Sequence, residues 1–250
     1  MRFLRSKKGK EFIAFHHGEN NNEDYDEGYG ICKSVPPAGP HLLDPLSSNP
    51  STWNYEVENS PFLNHPINLT CEQQLKDHFR DIKLEFERVK NTLSDHPENM
   101  VSHNSGRWSS IDLIGVDNKG TATLDKCPIL KQVLSSMNLA TGYGFVFFSR
   151  LDPNTVIAPH HGSTNIRSRI HLGLDIPHRE VYLQVAGKTV KWTTGGTLCF
   201  DDSYAHCSWN KSSQPRDVLI VDIFNPHLTQ DEVKFLKDKR LYNFGKYKTS

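Results

Sequence analysis

The stretch from Asn165 to Leu174 constrains the fold more than any other, because its side chains alternate between two kinds. One set is apolar or small and consists of Ile166, Ser168, Ile170, Leu172 and Leu174. The other set is basic or glycine and consists of Arg167, Arg169, His171 and Gly173. A period of two is typical of a β-strand, whose successive side chains point to opposite faces of the sheet. Taken alone, this pattern predicts an antiparallel strand with an apolar face on a core and a basic face in water.

Two histidines on either side of this strand change that interpretation. His160 precedes the strand, and His206 follows it after a second strand-like run; Arg216 then opens a third. Distant strands of a closed antiparallel barrel line one interior, so the two imidazoles can meet there and bind iron, zinc or copper. Buried cations need partners, and a guanidinium pairs bidentately with a carboxylate. A metal beside a carboxylate-binding pocket is what an iron- and 2-oxoglutarate-dependent oxygenase requires.

Two longer motifs resemble the signature of the aspartyl/asparaginyl β-hydroxylases. They are Pro159-His160-x-Gly162-x-Thr164-Asn165-x-Arg167-x-Arg169-x-His171-Leu172-Gly173-Leu174, and Phe200-Asp201-Asp202-Ser203 followed by His206, Trp209, Arg216 and Ile220-Val221-Asp222. The motifs recur in order with matching spacing, and the resemblance extends from about Trp108 to Thr229. It implies a mainly β protein with a double-stranded β-helix, or jelly roll, and flanking helices.

The resemblance also implies an Fe(II) centre with His160 and His206 as its catalytic metal ligands. In this family the carboxylate that completes the usual triad is missing, and here Gly162 stands two residues after His160, where that carboxylate would be. His161 follows His160, and adjacent strand residues face opposite ways, so only one of the two can point at the metal. The spacing to Gly162 and Arg169 favours His160.

The cosubstrate that the resemblance implies is 2-oxoglutarate. Arg216 would pair with its far carboxylate, assisted by Ser149. The residues implied at the other end of 2-oxoglutarate and at the border of the pocket are Arg169, His171 and Trp108. Arg167 lies nearer the His160 end of its strand, so we expect it at the substrate entrance.

The 250 residues suffice for one large domain, or for one domain with an extension. Residues 1–62 include a polar, acidic stretch (20–27) and a stretch rich in Pro, Ser and Asn (36–61), which predicts a flexible or extended N-terminal arm. Residues 63–250 are predicted as the catalytic domain. Apolar positions at helical spacing predict a buttressing helix over 71–96, with Thr70 as its N-cap. A capping box that starts at Thr229 predicts a closing helix over about 230–242. About eight short strands, including a hairpin around Ala186-Gly187-Lys188, are predicted between these helices.

Composition argues against several partners. Lys and Arg together number 29, as do Asp and Glu, so no net charge points to nucleic acid or to a membrane surface. No run of about 18 apolar residues is present, so we expect no membrane span. The 5 cysteines are odd in number and lack CxxC pairs, which predicts reduced thiols in a cytoplasmic protein.

Three functions agree with these patterns. The first is a dioxygenase that uses Fe(II), 2-oxoglutarate and dioxygen to hydroxylate the β-carbon of aspartyl or asparaginyl residues in a protein or peptide. The second is the same chemistry on a small molecule or free amino acid, because a family core defines chemistry better than substrate. The third is a non-catalytic jelly roll that binds a metal or a carboxylate.

Overall fold

The computed structural model describes residues 60–97, 102–103, 106–115, 122–162 and 164–239. The arm predicted over 1–62 therefore lies almost wholly outside the described residues, as does the end of the closing helix predicted to reach about 242. The described helices are α1 (Pro66–Asp77), α2 (Phe79–Val89), α3 (Pro128–Ser135) and α4 (Gln230–Lys239). None of them is long and apolar enough to cross a membrane.

The described strands form two antiparallel sheets. They are β1 (Ser94–Asp95), β2 (Ser102–His103), β3 (Trp108–Ile114), β4 (Val146–Leu151), β5 (Thr155–His160), β6 (Arg167–Asp175), β7 (Val181–Val185), β8 (Lys188–Val190), β9 (Thr197–Phe200), β10 (His206–Asn210) and β11 (Arg216–Phe224). The larger sheet has the order β1-β3-β4-β11-β6-β9, and the smaller has the order β2-β5-β10-β7-β8. From β4 to β11 the chain winds between the two sheets so that each receives four strands. This winding is a double-stranded β-helix, and the predicted fold is confirmed.

The alternating strand is β6, and its two faces pack as the pattern requires. Ile170 and Leu172 are fully buried in an apolar cluster that also contains side chains of α1, α2 and α3. Leu219 and Val221 of the neighbouring β11 belong to the same cluster, so this face of the larger sheet is covered by helices. The opposite, basic face of β6 points between the two sheets and not into water.

The buttress is two helices, not the single helix predicted over 71–96. Helix α1 begins at Pro66, since proline suits the first helical position, and His65 Nδ1 accepts a hydrogen bond from Ile67 N (3.2 Å). The predicted N-cap, Thr70, therefore lies inside α1. The chain leaves helical geometry at His78 (φ −102°, ψ 11°) and resumes as α2. The apolar stripe continues across this break, so periodicity alone does not reveal it.

The predicted hairpin is β7–β8, and its turn is Ala186-Gly187. Both turn residues have positive φ, 49° and 76°. Two consecutive residues in that region form a type I′ turn, which matches the twist of the flanking strands. The second position suits glycine, because it has no Cβ to clash there.

A buried carboxylate joins two of the helices. Glu85 of α2 is fully buried, and its two oxygens accept hydrogen bonds from Ile129 N (2.8 Å) and Leu130 N (2.9 Å). These amides belong to the first turn of α3, whose N–H groups have no partner inside the helix. Glu85 of α2 therefore caps the N-terminus of α3. Its acidic side chain lies at the positive end of the α3 dipole, where acidic groups are stabilising.

We expect Glu85→Ala to lower the free energy of unfolding by about 1–3 kcal/mol, because it leaves two buried amides without an acceptor. Glu85→Gln, which keeps one acceptor oxygen, should lose less. Urea denaturation followed by circular dichroism measures both. The control is Glu87→Ala on the same helix, where a half-exposed ion pair with Lys90 is removed and the expected change is smaller. Equal losses at positions 85 and 87 would contradict the capping role.

Candidate active site

The two predicted metal ligands face each other across neighbouring strands. His160 ends β5 and His206 begins β10, and the two residues are directly paired in the smaller sheet. Their ring centroids lie 4.1 Å apart, with an angle of 54° between the planes. The fold thus brings together two histidines that are distant in sequence.

Main-chain carbonyls orient both rings in the same way. Nδ1 of His160 lies 2.8 Å from the oxygen of Ala158, and Nδ1 of His206 lies 2.9 Å from the oxygen of Tyr204. A carbonyl oxygen only accepts, so Nδ1 carries the proton in each ring and Nε2 keeps its lone pair. An imidazole held in this way at one nitrogen and open at the other is typical of a metal ligand.

Both histidines are neutral at physiological pH. Burial lowers the pKa of His160 to about 4 and holds the pKa of His206 well below its usual value. A neutral ring is the form that binds a metal. Across the residues that the structure describes, no group of three or more His, Cys, Asp or Glu side chains could hold a metal ion. The histidine pair would therefore provide two ligands and leave the other positions to small molecules.

His161 does not pair with His206. Its Nδ1 lies 2.8 Å from the main-chain oxygen of Ser203, and its Nε2 is buried with no hydrogen-bond partner among the described residues. The neighbouring Gly162 N donates to the oxygen of Asp202 (2.6 Å). Together these two bonds tie the end of β5 to the loop that precedes β10.

Gly162 is required by the close approach of a carboxylate. A Cβ at this position would lie within 2.5 Å of both carboxylate oxygens of Asp202. That carboxylate is held in place by Arg167, so it could not easily move aside. A side chain at position 162, including an aspartate in the usual place of the third ligand, would collide with Asp202.

The basic face of β6 is neutralised by two buried aspartates. Arg167 binds Asp202 through Nε (3.3 Å) and Nη2 (2.8 Å) and also donates to the oxygen of Tyr143. Arg169 binds Asp222 through Nε and Nη2 (both 2.8 Å) and approaches Asp202 at 3.2 Å. Burial opposes ionisation of Asp202, but the attraction of Arg167 and Arg169 outweighs it and holds its pKa well below the usual range.

This network corrects two expectations from the sequence. The basic face was expected to attract an external anion, yet two of its cations already have carboxylate partners inside the protein. Arg167 was expected at the substrate entrance, but its guanidinium is buried among protein acceptors and is not available to a substrate. The sequence did point to Asp222. This residue lies six positions after Arg216, so the two side chains are on the same face of β11.

Arg216 is the buried cation that remains for a ligand. Its side chain is almost fully buried, it stacks over the Trp192 ring at 4.9 Å, and its Nε has no hydrogen-bond partner among the described residues. Burial lowers the pKa of Arg216 to about 10, so the guanidinium stays charged at neutral pH. A buried charge of this kind is costly unless an anion pairs with it.

His171 contributes a hydrogen-bond donor to the same face. The indole Nε1 of Trp192 donates to His171 Nδ1 (3.1 Å), so Nδ1 is the acceptor of this ring. Burial holds the pKa of His171 well below its usual value, and the neutral ring therefore carries its proton on Nε2. That Nε2 is buried and has no acceptor among the described residues.

Ser149 offers a further donor beside Arg216. Trp108 Nε1 donates to Ser149 Oγ (3.0 Å), which leaves the serine hydroxyl hydrogen for another acceptor. Ser149 of β4 lies opposite Val218 of β11, and Arg216 is the next residue on that face of β11. The larger sheet thus presents a cation and two donors to the space between the sheets, where the two carboxylates of a dicarboxylate would satisfy them.

One residue of this site has no signal in the sequence. The ring of His96 stacks on the indole of Trp108, with centroids 3.6 Å apart and planes 10° from parallel. It lies between the end of β1 and the next turn, whereas the predicted helix over 71–96 ended there. Because that helix was assigned to the outside of the barrel, His96 received no role in the site.

Comparison with known proteins agrees with this arrangement. Residues 76–226 match the aspartyl/asparaginyl beta-hydroxylase family. The chain belongs to this family. The resemblance seen in the sequence motifs is therefore confirmed, and the protein is a member of a family of hydroxylases.

Three relatives show the range of this hydroxylase family. Aspartate beta-hydroxylase domain-containing protein 2 of Rattus norvegicus is 32% identical over 203 residues, which cover 75% of this chain and 59% of the relative. Aspartyl/asparaginyl beta-hydroxylase of Mus musculus is 34% identical over 142 residues, 56% of this chain and 19% of the relative. Ornithine lipid ester-linked acyl 2-hydroxylase of Rhizobium tropici is 30% identical over 122 residues, 48% of this chain and 42% of the relative. The chain thus spans three-fifths or less of the length of these relatives.

The loop before His206 contains a carboxyl group that titrates near neutral pH. Asp201 Oδ1 accepts a hydrogen bond from Ser203 N (2.9 Å), while its Oδ2 is buried with no partner among the described residues. Burial raises the pKa of Asp201 to about 7. The folded protein therefore keeps a proton that the unfolded chain releases above about pH 4. This group favours folding fully below that pH, and its contribution is lost as pH rises to about 7.

We expect Asp201→Asn to stabilise the protein relative to wild type as pH rises from 5 to 8, by about 1–3 kcal/mol at pH 8. The amide has no proton to release, so the mutant lacks the penalty of a buried, poorly paired carboxylate. Urea denaturation at pH 5, 6, 7 and 8 gives the difference in unfolding free energy. The control is Gln132→Ala at an exposed position, where neither side chain titrates, so its difference from wild type should stay constant with pH. A constant difference for Asp201→Asn as well would contradict the assignment.

Proposed function

We propose that this protein is an Fe(II)- and 2-oxoglutarate-dependent hydroxylase of the β-carbon of aspartyl or asparaginyl residues in a protein or peptide. The observation that supports this most is the sorting of polar atoms between the two sheets. The smaller sheet presents Nε2 lone pairs from His160 and His206, which suit a metal. The larger sheet presents Arg216 and donors from His171 and Ser149, which suit a carboxylate.

His160 and His206 would hold the iron as neutral imidazoles. Bound Fe(II) would supply the activation of dioxygen that couples oxidation of 2-oxoglutarate to succinate and carbon dioxide with hydroxylation of the substrate. The protein contributes orientation of the two rings through the carbonyls of Ala158 and Tyr204. It also buries the side chain of His206, whereas His160 stays partly exposed.

Arg216 would pair with the far carboxylate of 2-oxoglutarate, and the Ser149 hydroxyl would donate to the same group. His171 would donate Nε2–H to the other end. Arg169 remains a predicted cosubstrate residue, although Asp222 already balances its charge. Trp108 borders the pocket and orients Ser149.

The substrate class follows the names of the relatives, two of which are aspartate or aspartyl/asparaginyl hydroxylases. A second candidate is the same chemistry on a small molecule. It is favoured by the ornithine lipid acyl hydroxylase among the relatives, whose matched segment includes less than half of this chain.

The central experiment measures binding and turnover without a known substrate. We expect the wild-type protein under anaerobic conditions to bind Fe(II) and then 2-oxoglutarate in calorimetry. On admission of air, succinate should form slowly and be detected by NMR. Peptides that contain Asp or Asn should accelerate succinate formation and gain one oxygen in mass spectrometry. Acceleration by free amino acids or acyl lipids instead would favour the small-molecule candidate.

His160→Ala and His206→Ala should each lose metal binding and succinate formation. His161→Ala is the matched control, since this ring has a similar Nδ1 contact but does not pair with His206. It should retain metal binding. Iron binding that survives His160→Ala and is lost in His161→Ala would reverse the ligand assignment. Tight binding of both ligands with no succinate under any condition would favour a non-catalytic binder.

Arg216→Lys should raise the KM for 2-oxoglutarate about tenfold or more, because it removes one of the two hydrogen bonds to the carboxylate, and a hydrogen bond to a charged group contributes about 1.5–3 kcal/mol. Lysine keeps the charge but lacks the planar fork that binds a carboxylate at two points. Steady-state succinate formation at varied 2-oxoglutarate concentration gives this value. The control is Lys188→Arg at an exposed position on β8, which should leave the KM unchanged. An unchanged KM in Arg216→Lys would remove Arg216 from the cosubstrate site.

A further inference from the structure

His96 contacts Trp108 of the larger sheet at two points. Its main-chain N–H donates to the oxygen of Trp108 (3.0 Å), and its ring lies flat on the Trp108 indole. The ring of Phe147 approaches from a second side, with centroids 5.6 Å apart. Burial lowers the pKa of His96 to about 3, and the positive charge of Arg169 acts in the same direction. His96 is therefore a neutral ring within electrostatic range of the active site.

The contact between Trp108 and Ser149 depends on the orientation of the indole. An indole N–H is a donor only, and Ser149 Oγ accepts it at 3.0 Å. This bond occupies the serine oxygen, so its hydroxyl hydrogen is directed away from the indole. A rotation of the Trp108 ring would break the bond and leave the hydroxyl free to turn.

Stacking by His96 opposes such a rotation. The faces of the two rings are in van der Waals contact, and an offset aromatic pair contributes about 0.5–1.5 kcal/mol beyond the area that it buries. Trp108 is the first residue of β3, next to the short edge strand β1, so fewer strands restrain it there than in the middle of the sheet.

We propose that His96 is a positioning residue for the cosubstrate site: its ring holds Trp108 in the orientation that directs the Ser149 hydroxyl toward the far carboxylate of 2-oxoglutarate. This inference rests on the proposed function, because it requires 2-oxoglutarate beside Ser149. The chain of contacts is His96 on Trp108, Trp108 on Ser149, and Ser149 on the ligand. His96 itself does not need to touch the cosubstrate.

A double-mutant cycle tests the order of these contacts. The Kd of 2-oxoglutarate is measured by anaerobic calorimetry with Fe(II)-loaded wild type, His96→Ala, Ser149→Ala and the double variant. We expect Ser149→Ala to raise the Kd by about tenfold or more, the cost of one hydrogen bond to a charged group, and His96→Ala to raise it severalfold, by a part of the same loss. Since His96 acts through Ser149, the double variant should bind no more weakly than Ser149→Ala alone.

Two further variants test whether stacking by a flat ring is the cause, and whether any change in this edge strand has the same effect. His96→Phe keeps a flat ring on Trp108 and should restore most of the wild-type affinity. Ser94→Ala, at an exposed position on the same edge strand, should bind like wild type. Iron affinity should be equal in all of these proteins.

An unchanged Kd in His96→Ala would overturn the inference, as would fully additive losses in the double variant. Failure of His96→Phe to restore affinity would also overturn it, because stacking would then not be the cause. Absence of 2-oxoglutarate binding in the wild-type protein would instead contradict the proposed function. The two failures are therefore distinguishable.

Discussion

Two arginines and two aspartates pair with one another in the interior, and the candidate active site is arranged around them. Arg167 with Asp202 and Arg169 with Asp222 connect β6 to β11 and to the loop that precedes β10. Removing one partner from a buried ion pair typically costs about 3–5 kcal/mol, because the other charge is left uncompensated. Local separation of β6, β11 and this loop would therefore cost a large free energy. The loop that these ion pairs anchor ends at His206, the first residue of β10.

The same ion pairs determine which arginine charge can attract a ligand. Four buried charges of alternating sign cancel at short range, so they contribute structure and little net attraction for an anion. Arg216 Nε has no hydrogen-bond partner within the described part of the chain, so its charge is more available to a ligand than those of Arg167 and Arg169. The basic pattern of β6 therefore corresponds to ion pairs in the interior, whereas the cation proposed to bind a ligand lies on the neighbouring strand β11.

The sequence predicted those features that follow from a local period or from a recurring motif. Alternation on β6 indicated a two-faced strand, and the spacing around His160 and His206 indicated a closed fold that brings them together. Features that depend on strand register could not be predicted, because register determines which residue lies opposite another. The partnership of Arg169 with Asp222 is an example, since the two residues are paired only once β6 and β11 align. His96 was missed for a similar reason: it contacts Trp108 through an edge strand that periodicity had assigned to a helix.

The division of the site between the two sheets has a consequence for its geometry. The histidine pair belongs to the smaller sheet, and every residue proposed to hold the cosubstrate belongs to the larger one. Apolar side chains between the sheets, including Leu183, Val218 and Ile220, determine how far apart the halves stand. The spacing between the proposed metal and cosubstrate would thus be a packing property, set by the volume of these apolar side chains. Exchange of one apolar residue for another in this layer would then tune the proposed reaction without touching a ligand.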